Sequence, residues 1–209
     1  MSDLSSKLRK AMHKSINTVD QSKLARTLNK SFDTISEGKK FATAVLMTYF
    51  APSGHLILVN AGHPPPMMRR AGSSDWFPID QSTPGVLKQT SNQIKVGIKN
   101  LPLGVINSTQ YEQIAIKINE GDLVVAYTDA FTEAQREDGK LLGTQGLAEV
   151  LRDTINPGDA NTAAKVVQNI ESNGYHAADD DHTMLILHHN GTSTDPVGMT
   201  TISNYLKNS

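Results

Sequence analysis

The spacing of hydrophobic residues changes along the chain from helical to strand-like and back to helical. Apolar side chains recur every three or four positions over residues 4–17 and 20–36, which predicts two amphipathic helices. Gly38 is placed to end the second helix. Residues 41–50 and 55–60 are rich in β-branched and apolar side chains and flank an APSG turn, so they predict a β-hairpin and an at least partly antiparallel sheet.

The second half of the chain mixes strand and helix signals. Three consecutive prolines within residues 61–66 exclude a central strand there, and a loop-rich region follows. The remaining predicted elements are, in order, weak strands around 76–79 and 94–98, strands at 111–118 and 123–128, helices around 147–155 and 163–170, and a strand at 183–189. Runs of strands and runs of helices, rather than strict alternation, indicate an α+β fold.

Composition narrows the classes of function. With 38% hydrophobic and 20% charged residues among 209, the chain should fold as a globular domain. Lys and Arg total 20 against 21 for Asp and Glu, so no charge excess attracts nucleic acid or a membrane surface. No apolar run is long enough to span a bilayer and the start is too polar for a signal peptide, which predicts a cytoplasmic protein.

The chemistry available to the chain is limited by its residue types. It contains no cysteine, which excludes disulfides, thiolate metal sites and cysteine nucleophiles. Its seven histidines form no HExxH pattern, so zinc catalysis is not expected.

Acidic residues stand at the ends of two predicted strands. Asp129 follows strand 123–128, and an acidic triplet that includes Asp180 and Asp181 precedes the final strand. If these strands pair antiparallel, the carboxylates converge at one edge of the sheet. Clustered carboxylate oxygens suit Mg²⁺ or Mn²⁺. The alternative from spacing alone is a turn-capping Asp beside a solvated acidic loop.

Three motifs carry a family resemblance. They are NAGHPPP (60–66), GDLVVAYTDAFTEAQ (121–135) and DDHTMLIL (180–187). In this order they resemble the hallmarks of bacterial serine/threonine phosphatases of the stage II sporulation protein E type, within the metal-dependent type 2C superfamily. FATAVLMTYF (41–50) and LPLGVI (101–106) also stand where that family has matching segments. The similarity runs from about residue 4 to about residue 189.

The resemblance implies a four-layer α-β-β-α sandwich of two mainly antiparallel sheets over residues 1–190, followed by a polar tail over 191–209. It implies hydrolysis of phosphoserine or phosphothreonine by a water molecule activated between two Mn²⁺ or Mg²⁺ ions. The substrate in such families is a small regulatory phosphoprotein, often an anti-sigma-factor antagonist, which places the protein in signal transduction and sigma factor regulation.

The resemblance also assigns roles to individual residues. By motif, Asp129 and Asp180 are expected to bind the same metal ion. Asp181 is expected to orient that ligand or its loop. Glu133 is expected either to support the site from just outside it or to contribute weakly to binding a further ion. His63 lies in the loop that borders such active sites, with either a chemical role or a packing role.

Two departures from the family pattern have consequences. The 209 residues contain no GD-x-x-GHG motif, whose Asp bridges both metals in the family. We therefore expect an amino-terminally truncated domain with impaired catalysis, and a noncatalytic phosphoprotein-binding module remains the alternative. Ala130 stands where the family usually has Gly, which is tolerable unless φ is positive there. The first two helices, within residues 4–36, are a candidate switch or homodimer element.

Overall fold

The computed structural model describes residues 6, 9–10, 12–13, 18, 20–36, 40–88, 98–156, 161–176 and 180–191. The predicted helix 4–17 lies largely outside this set, although its described members, among them Met12 and His13, are helical and exposed. The weak strand predicted around 94–98 lies outside it except for Ile98, and so does the predicted tail beyond Gly191.

The first continuous helix, α1, spans Gln21–Ser36 and confirms the helix predicted from the apolar stripe. It begins after Asp20, whose carboxylate accepts a hydrogen bond from the Lys23 backbone N–H at 2.9 Å. Such a cap satisfies one of the free donors at a helix start. Leu28 and Phe32 bury the apolar face of α1 against the outside of a sheet.

Within the described ranges, eight strands form two four-stranded antiparallel sheets. The first sheet has the order β1-β2-β6-β5 and contains β1 (Ala44–Phe50), β2 (His55–Ala61), β5 (Leu87–Lys88) and β6 (Gln113–Lys117). The second has the order β4-β3-β7-β8 and contains β3 (Met67–Arg69), β4 (Trp76–Pro78), β7 (Leu123–Tyr127) and β8 (Met184–His188). The predicted hairpin is β1 and β2, joined in register from Ala44↔Ala61 to Phe50↔His55.

The layers follow from which faces are buried together. The inner faces of the two sheets share a core that includes Leu58, Ile116, Met68 and Val124. Two further helices, α2 (Gly143–Thr154) and α3 (Thr162–Ser172), cover the outer face of the second sheet. With α1 on the outer face of the first sheet, the described residues form the predicted α-β-β-α sandwich.

The structure differs from the predicted elements in two short strands. β3 and β5 were not predicted, because runs of three and two residues carry no readable alternation. β3 nevertheless pairs with both β4 and β7 and so sits inside the second sheet. No helix within the described part of the chain is long and apolar enough to cross a membrane.

Candidate metal centre

The end of β7 and the start of β8 lie side by side. The two strands pair antiparallel with Tyr127 opposite Met184, which satisfies the condition set by the sequence for their acidic residues to meet. Beyond the last pair, Thr128 joins the two loops. Its backbone N–H donates to the Thr183 carbonyl at 3.0 Å, and its hydroxyl donates to the Asp181 carbonyl at 2.8 Å.

Asp129 opens a single 3₁₀ turn over Asp129–Phe131. Its carbonyl accepts the Thr132 backbone N–H at 2.8 Å and the Glu133 backbone N–H at 2.9 Å. These bonds use the main chain of Asp129, so its half-buried carboxylate is left for another partner. Ala130 is buried within the turn without strain, because Asn100 is the only non-glycine residue of the described chain with positive φ.

The second acidic loop is exposed and is organised locally. The Asp180 carboxylate accepts the Asp181 backbone N–H at 2.7 Å, and both residues are exposed. The next residue, His182, packs edge-on against the buried ring of Phe131, with 5.1 Å between ring centroids. This contact is a second link between the turn after β7 and the loop before β8.

Carboxylate oxygens are the type of ligand that a hard cation such as Mg²⁺ prefers, but this site offers few of them. Within the described ranges, no Lys, Arg or His side chain forms an ion pair with Asp129, Asp180, Asp181 or Glu133. Among the same residues, no group of three or more His, Asp or Glu side chains is arranged to hold a metal. Mg²⁺ is commonly bound through one or two carboxylates with water and phosphate completing its shell. Asp129 and Asp180 are therefore of a residue type that could serve as partial ligands of such an ion.

His63 lies at the same end of the sandwich. Residues 62–66 lead from β2 to β3, and Met67 of β3 pairs with Val125 near the end of β7. The His63 backbone N–H donates to the Asn60 side chain at 2.8 Å, and the Asn60 amide donates to the His63 carbonyl at 2.6 Å. The His63 ring Nδ1 lies 3.0 Å from the Pro64 carbonyl, so one ring nitrogen is occupied by the loop itself.

Close packing between motif segments requires glycine at two positions. Gly62 has φ of +67°, and a Cβ there would lie 2.4 Å from Pro102 Cγ. Gly104 has φ of +85°, and a Cβ there would lie 2.6 Å from the Phe32 ring. The NAGHPPP loop therefore packs on the LPLGVI segment, which in turn packs on α1.

A pocket of about 460 Å³ opens beside the NAGHPPP loop. Its floor is apolar, and its rim carries the carboxyl groups of Asp80 and Glu112. No local sequence pattern indicates this pocket, because Asp80 and Glu112 at its rim are about thirty residues apart and belong to no motif.

Comparisons with known proteins identify the family and the fold. The family model described as Stage II sporulation protein E (SpoIIE) matches residues 1–190. The chain belongs to the stage II sporulation protein E family. The resemblance carried by the three motifs is thereby confirmed. No curated protein matches this SpoIIE-family chain significantly.

Solved structures show the same fold at low sequence identity. The RsbU and RsbW domains of a Mycobacterium tuberculosis protein superpose with a TM-score of 0.64 at 23% identity, covering 88% of this chain and 46% of that one. The PP2C domain of SiaA from Pseudomonas aeruginosa has a TM-score of 0.64 at 18% identity, with coverage of 88% and 68%. The manganese-soaked SpoIIE phosphatase domain of Bacillus subtilis has a TM-score of 0.52 at 12% identity, with coverage of 91% and 74%. This chain thus spans less than half of the Mycobacterium structure.

Proposed function

We propose that this protein is a metal-dependent phosphatase that hydrolyses phosphoserine or phosphothreonine on a regulatory protein. The observation that carries the proposal is the pairing of Tyr127 with Met184. It brings the loop of Asp129 beside the loop of Asp180, in a chain whose family model covers residues 1–190. The proposed cofactor is Mn²⁺ or Mg²⁺, with two ions in the complete domain.

Each acidic residue has a distinct proposed role. Asp129 and Asp180 bind the cation with their carboxylates, which no described side chain neutralises. Thr128 holds the two loops at a fixed separation through its bonds to Asp181 and Thr183. Asp181 orients the Asp180 carboxylate through its backbone N–H. Glu133, exposed at the end of the turn, adds negative charge that favours a cation at the site.

The reaction requires no nucleophilic side chain from this chain. When bound, the metal supplies an activated water and neutralises the phosphoryl oxygens. We assign His63 a positioning role, because its ring Nδ1 is engaged by the Pro64 carbonyl and its backbone by Asn60. The proposed partner is a phosphoprotein, with an anti-sigma-factor antagonist as the candidate suggested by the family. The cytoplasmic location predicted from the sequence stays a prediction.

Mutation of each ligand tests the proposal. In the full-length protein, Asp129→Asn and Asp180→Asn should each abolish Mn²⁺-dependent phosphate release from a phosphoserine peptide, because each change removes an anionic ligand at similar volume. Asp153→Asn is the matched control, since this exposed residue lies on α2, on the outside of the second sheet. Near wild-type turnover in either ligand variant at saturating Mn²⁺ would show that the site is assigned wrongly.

A phosphoprotein-binding module without turnover is the second candidate. It is supported by the absence, among the described residues, of any group of three or more His, Asp or Glu side chains that could hold a metal ion. Phosphopeptide binding that is unchanged in Asp129→Asn, together with no phosphate release from the full-length protein, would favour this candidate over the enzyme.

A further inference from the structure

The pocket beside the NAGHPPP loop lies at the same end of the sandwich as the candidate metal centre. Asp80 follows β4, whose last residue, Pro78, pairs with Met67. Glu112 precedes β6, whose first residue, Gln113, pairs with Val59 near the end of β2. Both carboxylates therefore lie at the end of the sandwich where β7 ends and Asp129 follows.

The pocket combines an apolar floor with a rim that carries two carboxylates, of which Glu112 is ion-paired with Lys99. Leu58, Ile79 and Ile114 are almost fully buried and form the floor between the two sheets. Asp80 and Glu112 line the pocket above it. A volume of about 460 Å³ is enough for a long side chain and neighbouring backbone.

The two rim carboxylates are held in fixed positions as anions. Asp80 Oδ1 accepts the Ser82 hydroxyl at 2.6 Å and the Ser82 backbone N–H at 2.7 Å, and the Ser82 hydroxyl bond lowers the pKa of Asp80. Glu112 accepts hydrogen bonds from Lys99 and from the Gln81 amide, and the bond from Lys99 lowers its pKa. Asp80 Oδ2 has no partner among the described residues, so one rim oxygen is available to a cation.

We propose that this pocket binds a Lys or Arg side chain of the phosphoprotein substrate, close in sequence to the phosphorylated residue. Lys and Arg lay their aliphatic stems on apolar surface while the charged head reaches polar groups. Here the stem lies on the floor made by Leu58, Ile79 and Ile114, and the head reaches Asp80 Oδ2 at the rim. This inference rests on the proposed phosphatase function for its partner.

The strand order sets the distance between the two sites. β4 and β7 are separated by β3 in the second sheet, so two strand spacings, roughly 10 Å, lie between the Asp80 end and the Asp129 end. An extended peptide covers this in about three residues. The basic residue is therefore expected two to four positions from the phosphoserine.

A positional scan tests the subsite. Labelled phosphoserine peptides with a single Lys moved through the flanking positions of an otherwise Ala/Gly background are titrated with the full protein. One position within about four residues of the phosphoserine should bind about three- to fivefold more tightly than the rest, as for an ion pair at a partly exposed site.

Variants that remove one carboxylate charge test whether the Lys preference arises in this pocket. The Lys preference should be smaller in Asp80→Asn and in Glu112→Gln. The Glu112 variant keeps the test valid if the Asp80 variant disturbs the turn at Ser82. Asp75→Asn is the matched control, because Asp75 is exposed and precedes the other end of β4, and it should retain the preference. Absence of any Lys preference, or a preference that survives in both pocket variants, would overturn the subsite.

Unphosphorylated peptides separate this inference from the proposed function. Weaker binding of the unphosphorylated peptides supports both the basic subsite and the proposed phosphatase function. An equal Lys preference with and without phosphate would leave the basic subsite standing and would overturn its assignment to a phosphatase substrate.

Discussion

At the scale of single residues, the contact between Gly62 and Pro102 fixes how the NAGHPPP loop sits. Gly62 combines a left-handed backbone with a Cβ position only 2.4 Å from Pro102 Cγ. No other residue type combines that φ with that contact at low cost. The glycine of the NAGHPPP motif is therefore required for packing, independently of any role in catalysis.

Replacing Gly62 should destabilise the fold measurably. Gly62→Ala adds the cost of a left-handed Ala, about 1 kcal/mol, to an overlap costing about 1–3 kcal/mol. We expect the free energy of unfolding, measured in urea, to fall by about 2–4 kcal/mol. Gly72→Ala is the control, because Gly72 has φ of +74° but no atom within 4 Å of its would-be Cβ. Equal losses in the two variants would contradict the packing argument.

The approach of the two acidic loops could be predicted from the sequence, whereas the pocket could not, and the assignment of Asp129 and Asp180 as metal ligands stays a prediction. Asp129 directly follows the strand predicted at 123–128 and Asp180 stands three residues before the strand predicted at 183–189, and antiparallel pairing is enough to bring such ends together. Asp80 follows the weak strand predicted around 76–79, and Glu112 lies near the start of the strand predicted at 111–118. Their approach depends on the stacking of one sheet over the other, which no local pattern encodes.

At the scale of elements, long periodic segments were predicted and short ones were not. The helix predicted at 20–36 is α1, and the strand predicted at 123–128 is β7 with a one-residue difference. β3 has three residues and follows three prolines, so the local pattern indicated a loop. Its strand conformation is stabilised by β4 and β7 on either side, which are tertiary partners.

The role of residues 4–36 as a switch or dimer element stays a prediction, and α1 can now be tested separately. α1 buries Leu28 and Phe32, and the Asn29 side chain bonds the Ile106 carbonyl at 3.0 Å and the Gly104 N–H at 2.7 Å. These anchors are typical of a segment with a high opening free energy. We expect amide exchange across α1 to be as slow as in β7 and independent of protein concentration.

Hydrogen exchange at two protein concentrations checks this expectation. Met12, 44% exposed, is an apolar side chain in the predicted helix ahead of α1. Concentration-dependent protection confined to the segment around Met12 would agree with a dimer element ahead of α1. Fast exchange in α1, or protection of α1 that rises with concentration, would instead make α1 itself the mobile or dimerising element.

At the scale of the whole molecule, the two ends of the sandwich differ in character. The end opposite the motif loops is tied by structural contacts, including Tyr49 Oη to His189 Nε2 at 2.7 Å and Arg70 to the buried Asp122 carboxylate at 2.7 Å. The other end carries the NAGHPPP loop, the two acidic loops and the pocket. The end with the motif loops is therefore the one where the proposed metal site and the proposed substrate pocket lie together.

The most direct test of this account is where Mn²⁺ binds. Paramagnetic Mn²⁺ broadens nearby amide signals even when little of the ion is bound, so weak binding by two carboxylates does not prevent the measurement. In ¹⁵N-labelled protein, we predict selective broadening at residues 129–133 and 180–183, lost in Asp129→Asn and in Asp180→Asn and retained in Asp153→Asn. Broadening centred elsewhere, or unchanged in both ligand variants, would contradict the assignment of Asp129 and Asp180 as the metal site.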